Sequence, residues 1–306
     1  MLELKLVKES LFLSFLEAIL DLVDVASVDC TRKGLKLKAV DTQHVAIITL
    51  FFPAEDFQHY HCDEYISMGI PIDDMVKVIR CADEDDTITI KVGDENFDTV
   101  TLLFESPKEN DATIAYDLRL VDAHMQRFRI PDWKVLDSKY EAFVEMPSAK
   151  FMRVCKYLSI IGGNGHISVT DKGLKFFASG ESGRVSIKYM QPEATAAVVT
   201  MRAPVSMTVD LKYMNCLATV STLFNKVKIC LSTTQPLMVE CKIGQMGYIR
   251  YFVAPKVKPE IEEEEIKNGK RKRSNDNDEG SAEEKEVSKE IKEGSKESED
   301  EGSKER

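Results

Sequence analysis

Nowhere does this chain run on in apolar residues for the roughly 18 positions that a membrane-spanning helix requires, although hydrophobic residues make up 43% of its 306 positions. Met1 to Ser10 alternates charge and leads into no apolar segment with a small-residue cleavage site, so no secretory signal is read there and the chain is expected in the cytosol or nucleus. The seven cysteines (Cys30, Cys62, Cys81, Cys155, Cys216, Cys230 and Cys241) lack C-x-x-C spacing. Several fall at apolar positions, and in such a compartment they read as reduced small hydrophobes. Catalytic signatures are missing as well. Gly162-Gly-Asn-Gly165 has no Gly-Lys-Ser/Thr and follows a helix, the reverse of the order that aims a helix N-terminus at phosphate, so it is expected to be a hairpin-type connection. His59 and His61 share one face of a strand, but Cys62 points the other way and no fourth ligand is spaced nearby. Asp83-Glu-Asp-Asp86 offers the carboxylates of a metal-dependent nuclease, yet at the exit of a short helix it reads as a solvated turn. No Ser-His-Asp or Cys-His arrangement stands out. The chain is read as a non-enzyme that needs no metal and no cofactor.

What is present is an internal repeat. Thr31-Arg-Lys-Gly-Leu-Lys-Leu-Lys-Ala39 returns as Thr170-Asp-Lys-Gly-Leu-Lys-Phe-Phe-Ala178. Around it Phe12, Leu16, Ile19 and Val28 align with Phe151, Cys155, Leu158 and Ile167, two amphipathic helices leading into strands. Tiling one supersecondary unit makes curved or ring-shaped scaffolds more often than active sites. Each unit reads helix, strands, helix, strands. In the first, Ser10 is the expected N-cap of a helix with an apolar stripe from Phe12 to Val23, and a short helix starts near Asp73 with Val76 and Ile79 inward. Strands are expected at 34–40, 45–52, 65–70, 87–92 and 99–105. In the second, helices are expected at 148–160 and 210–220, with strands at 165–170, 174–179, 185–189, 227–232, 237–243 and 249–253. Both units are therefore α+β with antiparallel meanders: one domain over 1–120, a punctuated connector over 121–139 and a second domain over 140–257.

Residues 258 to 306 contain no aromatic residue and carry 12 Lys plus Arg against 18 Asp plus Glu. Such a composition cannot offset its ordering entropy, so this acidic tail is expected to be disordered. Within it Lys270, Arg271, Lys272 and Arg273 form a compact basic cluster that reads as a nuclear import signal, with a solvated charge run as the alternative. The whole chain carries a net charge of -11. Any nucleic-acid contact must therefore come from a local basic surface. One is available on the helices, where Arg153 and Lys156 lie on the side away from Phe151, Cys155 and Leu158, and Lys77, Arg80 and Lys212 occupy the short helices. If all helices share one face of the sheets, these cations line it and suit phosphates without reading sequence.

Three stretches carry a family likeness. Asp41-Thr-Gln-His-Val45, the run from Tyr140 to Gly183 with Met146-Pro-Ser148 and Phe176-Phe-Ala-Ser-Gly-Glu181, and Met246-Gly-Tyr-Ile-Arg-Tyr-Phe-Val-Ala-Pro-Lys256 resemble the eukaryotic DNA sliding clamps of the proliferating cell nuclear antigen family. The resemblance spans Met1 to about Val257. It implies a DNA clamp fold with two similar domains per chain, and a nuclear homotrimeric ring with helices lining the hole and sheets outside. Head-to-tail pairing of sheet edges would close such a ring, and Tyr116, Leu118, Val185 and Ile187 fall at these edges. By motif position Lys77, Arg80, Arg119, Arg153, Lys156 and Lys212 should face duplex DNA. The resemblance also implies partners, namely DNA polymerase, clamp loader, flap endonuclease and DNA ligase, which dock short motifs with a Gln and paired aromatics. Their pocket would be Val40, His44, Val45, Ile47, Phe128, Ile130, Pro131, Pro236, Phe252, Ala254 and Pro255. A checkpoint-type clamp subunit working with unlike chains is the alternative. Five positions depart from the family pattern: Leu13, Ser14 and Leu20 stand where relatives place lysines, Asp171 where relatives carry a ubiquitin-accepting lysine, and Arg129 in place of a glycine.

Overall fold

A computed structural model describes residues 1–7, 11–83, 85–93, 98–106, 113–122, 137–190 and 197–256. The first repeat supplies β1 (Leu2–Val7), α1 (Leu11–Ile19), β2 (Val25–Thr31), β3 (Gly34–Val40), β4 (Ala46–Pro53), β5 (His59–Cys62), β6 (Ile66–Pro71), α2 (Ile72–Arg80), β7 (Thr87–Val92), β8 (Thr99–Glu105) and β9 (Thr113–Arg119). The second supplies β10 (Ala142–Pro147), α3 (Ser148–Ile161), β11 (Asn164–Thr170), β12 (Gly173–Gly180), β13 (Gly183–Met190), β14 (Val198–Met201), β15 (Val205–Asp210), α4 (Leu211–Ser221), β16 (Lys226–Leu231), β17 (Leu237–Ile243) and β18 (Gly247–Val253). The two lists match element for element. The expected N-cap Ser10, most of the connector and the basic cluster at Lys270 lie outside the described residues.

The repeated Thr-x-Lys-Gly sequence is one turn made twice. In each copy the threonine hydroxyl accepts from the lysine N–H at 3.3 Å, Lys33 to Thr31 and Lys172 to Thr170. The glycine that follows then sits at positive φ, +136° at Gly34 and +114° at Gly173, a conformation costly for any residue with a Cβ. A Cβ on Gly34 would also run into the Phe52 carbonyl and the backbone of Pro53 and Ala54. Gly34→Ala is therefore expected to lower stability by about 2 kcal/mol or more, measured as a fall in thermal midpoint against wild type.

Among the described residues strand pairing is antiparallel and forms three sheets: β5-β1-β7-β8-β9, β14-β10-β16-β17-β18-β4-β3-β2-β6, and β13-β12-β11-β15. The nine-stranded sheet joins the repeats through β18 and β4, with Tyr251 opposite Ile48 and Ile249 opposite Leu50. Mapped through the repeat, its β14–β18 half corresponds to the five-stranded sheet and its β4–β6 half to the four-stranded one. The equivalents of the joined pair, β9 and β13, are open edges among the described residues. β1 has the plain signal of a half-buried strand, with Leu2, Leu4 and Leu6 buried in alternation, though it is absent from the strands expected above.

The helices cover one side of the sheets. α1 packs on α2 and α4, and α4 packs on α3. They bury Phe12, Phe15, Leu16, Ile19, Val76, Ile79, Phe151, Leu158, Met214 and Leu217 in one continuous core. α1 ends at Ile19, short of the expected stripe, and Val23 is buried just beyond it with its N–H donating to the Ile19 carbonyl at 3.1 Å. A second, smaller apolar cluster of Tyr140, Phe143, Cys230, Met238 and Phe252, with Ile47 packed against it, is separate from the core under the helices.

Candidate functional site

Two surfaces collect the residues singled out by sequence. On the helix layer the cations are exposed, but their surroundings differ. Lys77 pairs with Asp73 one turn earlier and lies 3.8 Å from Asp74, and the Asp73 carboxylate raises its pKa. Arg80 Nε donates to Glu17 of α1 at 3.0 Å. Across the layer, Arg153 Nε donates to the Tyr157 hydroxyl at 3.0 Å and its guanidinium lies 5.4 Å from that ring. Lys156 lines a groove of about 390 Å³ between α3 and α4 with Ser159, Asn215 and Thr219. Lys212 lies 5.7 Å from the Tyr213 ring. Arg119 stands apart from these as the last residue of the edge strand β9, opposite Thr99.

Two of the departures at the first helix, Leu13 and Leu20, have a structural reason. Leu13 is buried in the core and Leu20 packs against it, because α1 turns Phe12, Leu13, Phe15, Leu16 and Ile19 inward. Nothing on α1 supplies a cation, and its one charged residue, Glu17, is exposed.

The second surface is the loop between β3 and β4. Asp41 organises it. Its carboxylate accepts from Gln43 N at 3.1 Å, from Val45 N and Ala46 N at 2.6 Å each, and from the Tyr213 hydroxyl of α4 at 2.6 Å. Burial pushes this carboxyl up, but the bonds from Ala46, Tyr213, Gln43 and Val45 outweigh it and hold the pKa below the usual carboxylate value. Tyr213 moves the other way, because burial and the Asp41 charge both disfavour its ionised form. The four-bond cradle holds His44 at φ +56°, a left-handed conformation uncommon outside glycine, with its imidazole exposed.

The candidate pocket residues gather around that loop. Ala254 N donates to the Val45 carbonyl at 2.9 Å, so the end of β18 runs beside it. Phe252 lies opposite Ile47 in the β18–β4 register, and both belong to the smaller apolar cluster rather than to the helix-side core. Pro236 accepts from the Tyr140 hydroxyl at 3.1 Å. Val40, Val45, Ile47 and Pro236 are half-buried, and His44, Ala254 and Pro255 are exposed. Phe128, Ile130 and Pro131 lie outside the described residues. Sequence reasoning left out Asp41 and Tyr213 as the frame of this site, since the bond between them spans 172 positions.

At the open edges, Ile114 and Tyr116 of β9 are 62% and 50% exposed, whereas Leu118 is buried within its own chain. Val185 and Ile187 of β13 are half-buried against the core. His59 and His61 are exposed on β5 while Cys62 is buried, and His61 Nε2 lies 2.9 Å from Asp63. Asp83 N donates to Asp86 at 2.9 Å, closing the turn after α2. No group of three or more metal-ligating side chains is found among the described residues.

Comparison with known proteins settles the family. Residues 1–127 match the N-terminal domain of proliferating cell nuclear antigen and residues 134–256 its C-terminal domain. The chain belongs to the proliferating cell nuclear antigen family. It is 37% identical over 263 residues to the proliferating cell nuclear antigen of Dictyostelium discoideum, a match that covers 84% of this chain and all of that protein. Two proliferating cell nuclear antigen domains with four described helices and antiparallel sheets make the two-domain DNA clamp fold. A member of this family is a DNA sliding clamp, a processivity factor of replication and repair.

Proposed function

We propose that three copies of this chain close head to tail around duplex DNA in the nucleus and tether replication and repair enzymes, without catalysing a reaction themselves. One observation carries the ring. β9 and β13 are open edges and are the repeat equivalents of β18 and β4, which pair within the chain. Carrying the β18–β4 register through the repeat places Tyr116 of one copy opposite Val185 of the next, Ile114 opposite Ile187, and Asp117 opposite Arg184. Apolar side chains thus meet on the core side of the strands, and opposite charges meet on the other. Unpaired strand edges are aggregation-prone, and head-to-tail closure removes both at once. Light scattering on the purified chain is expected to give about three times its 34.6 kDa. A monomer at micromolar concentration, or assembly only with unlike chains, overturns the homotrimer.

The pocket around His44 is the proposed dock for short peptides of DNA polymerase, clamp loader, flap endonuclease and DNA ligase, each presenting a Gln and paired aromatics. Its support is chemical. Half-buried Val40, Val45, Ile47 and Pro236, with exposed Ala254 and Pro255, offer apolar contact beside a fixed loop. Replacing Val40 and Val45 by Ala is expected to cost about 1–2 kcal/mol of peptide affinity, roughly tenfold, with trimer mass unchanged. Unchanged affinity by fluorescence anisotropy would falsify this dock. The basic cluster Lys270 to Arg273 is the proposed import signal, and nuclear accumulation of a chain with all four changed to Ala argues against it.

A further inference from the structure

The two halves of the helix layer carry opposite charge balances. On α1 and α2 the exposed charged residues are Glu17, Asp73, Asp74, Lys77 and Arg80, three acids against two bases. On α3 and α4 they are Lys150, Arg153, Lys156 and Lys212, with no acid on either helix. We infer that duplex DNA is held by the second-repeat helices, and that Glu17, Asp73 and Asp74 keep the first-repeat helices from gripping phosphate. A closed ring then presents three cationic arcs separated by three self-neutralised ones. This rests on the encircling ring proposed above and adds which part of its wall makes contact.

The geometry supports unequal grip. A phosphate approaching Arg80 meets the Glu17 carboxylate already bonded to Nε at 3.0 Å, so attraction and repulsion act from nearly the same distance and largely cancel. Lys77 is flanked by two carboxylates on its own helix. Beyond the screening length of about 8 Å at physiological salt, such pairs present little field. Arg153 instead has a neutral partner, the Tyr157 hydroxyl at 3.0 Å, which orients the guanidinium without cancelling its charge. Lys156 lines its groove among uncharged residues, the polar Ser159, Asn215 and Thr219 and the apolar Met152 and Ile160. Asp210, the N-cap of α4, is engaged by Lys256 at 2.9 Å and by Lys212 N at 2.8 Å. Tyr157 is thus a positioning residue for Arg153.

Three variants of the full chain, each checked for unchanged mass, test the inference by salt titration of binding to a linear duplex. Each phosphate contact contributes about 0.9 to the log-salt slope on duplex DNA, and the changes below are those for each arc of the ring that touches the duplex at one time. Arg153→Gln with Lys156→Gln is expected to flatten the slope by about 1.8 and to weaken binding at least about tenfold near 0.1 M salt. Lys77→Gln with Arg80→Gln should change the slope by less than about 0.5. Glu17→Gln, which releases Arg80, should steepen it by about 0.9 and tighten binding severalfold. Equal and measurable losses from the two double variants, or no gain from Glu17→Gln where Arg153→Gln with Lys156→Gln does lose slope, overturn the unequal wall and leave encirclement standing. Wild-type slopes in all three overturn passage of DNA along these helices altogether.

Discussion

Replacing Ile114 by Asp is expected to convert the assembly to monomers of 34.6 kDa while leaving the chain folded. Ile114 is 62% exposed in the isolated chain, so a carboxylate there costs the monomer little. In the proposed ring it faces Ile187 of the next copy, as Ile249 faces Leu50 inside the chain. Burying an unpaired charge at that point costs about 3 kcal/mol or more at each interface. Light scattering reads the mass, and the thermal midpoint confirms the fold. A variant that stays trimeric places β9 away from the interface. The register has its own check. Asp117→Arg sets like charges opposite Arg184 and should weaken assembly modestly, by about 0.2–1 kcal/mol per interface, and adding Arg184→Asp should restore it. Failure of the rescue argues for another register.

Much of this architecture was legible because the repeat writes each structural rule twice. The Thr-x-Lys-Gly turn, the inward stripes of α2 and α3, and the strands flanking them follow from periodicity and turn chemistry alone. β17 falls at Leu237–Ile243, the bounds expected from its pattern. β1, β10, β14 and β15 are absent from the strands expected above. Leu2-Leu4-Leu6 and Val205-Met207-Val209 alternate as strands should, but β10, Ala142–Pro147, buries Ala142, Phe143 and Val144 in succession, as a strand covered on both faces does. The site was half legible. Cations on helix faces can be read from spacing, but the Glu17–Arg80 pair joins residues 63 apart in sequence, so local pattern cannot show that one wall neutralises itself. Leu13 carries the same lesson. Set against the family pattern it reads as a lost lysine of the channel, whereas the packing of α1 makes it core.

Asp41→Ala is the substitution expected to separate the loop from the ring. The carboxylate accepts three backbone N–H groups and the Tyr213 hydroxyl, and the residue is almost wholly buried. Its removal orphans donors that cost about 1–3 kcal/mol each when left unmade. With water relieving some of them, a net loss of about 3 kcal/mol is expected, together with release of His44 from its left-handed conformation. Peptide affinity should fall at least about tenfold, since ordering the loop becomes part of binding, while β9 and β13 are untouched and trimer mass persists. The acid side follows from linkage. Because the folded-state pKa of Asp41 is lowered, its stabilisation is fully present above the unfolded value near 3.9 and is lost as pH falls through the lower folded value. Wild type and Asp41→Ala should therefore differ most in thermal midpoint above about pH 5, and their difference should narrow below about pH 4. A gap that stays constant across that window would mean that the carboxylate's charge contributes nothing, and that the loop is held by side-chain shape alone.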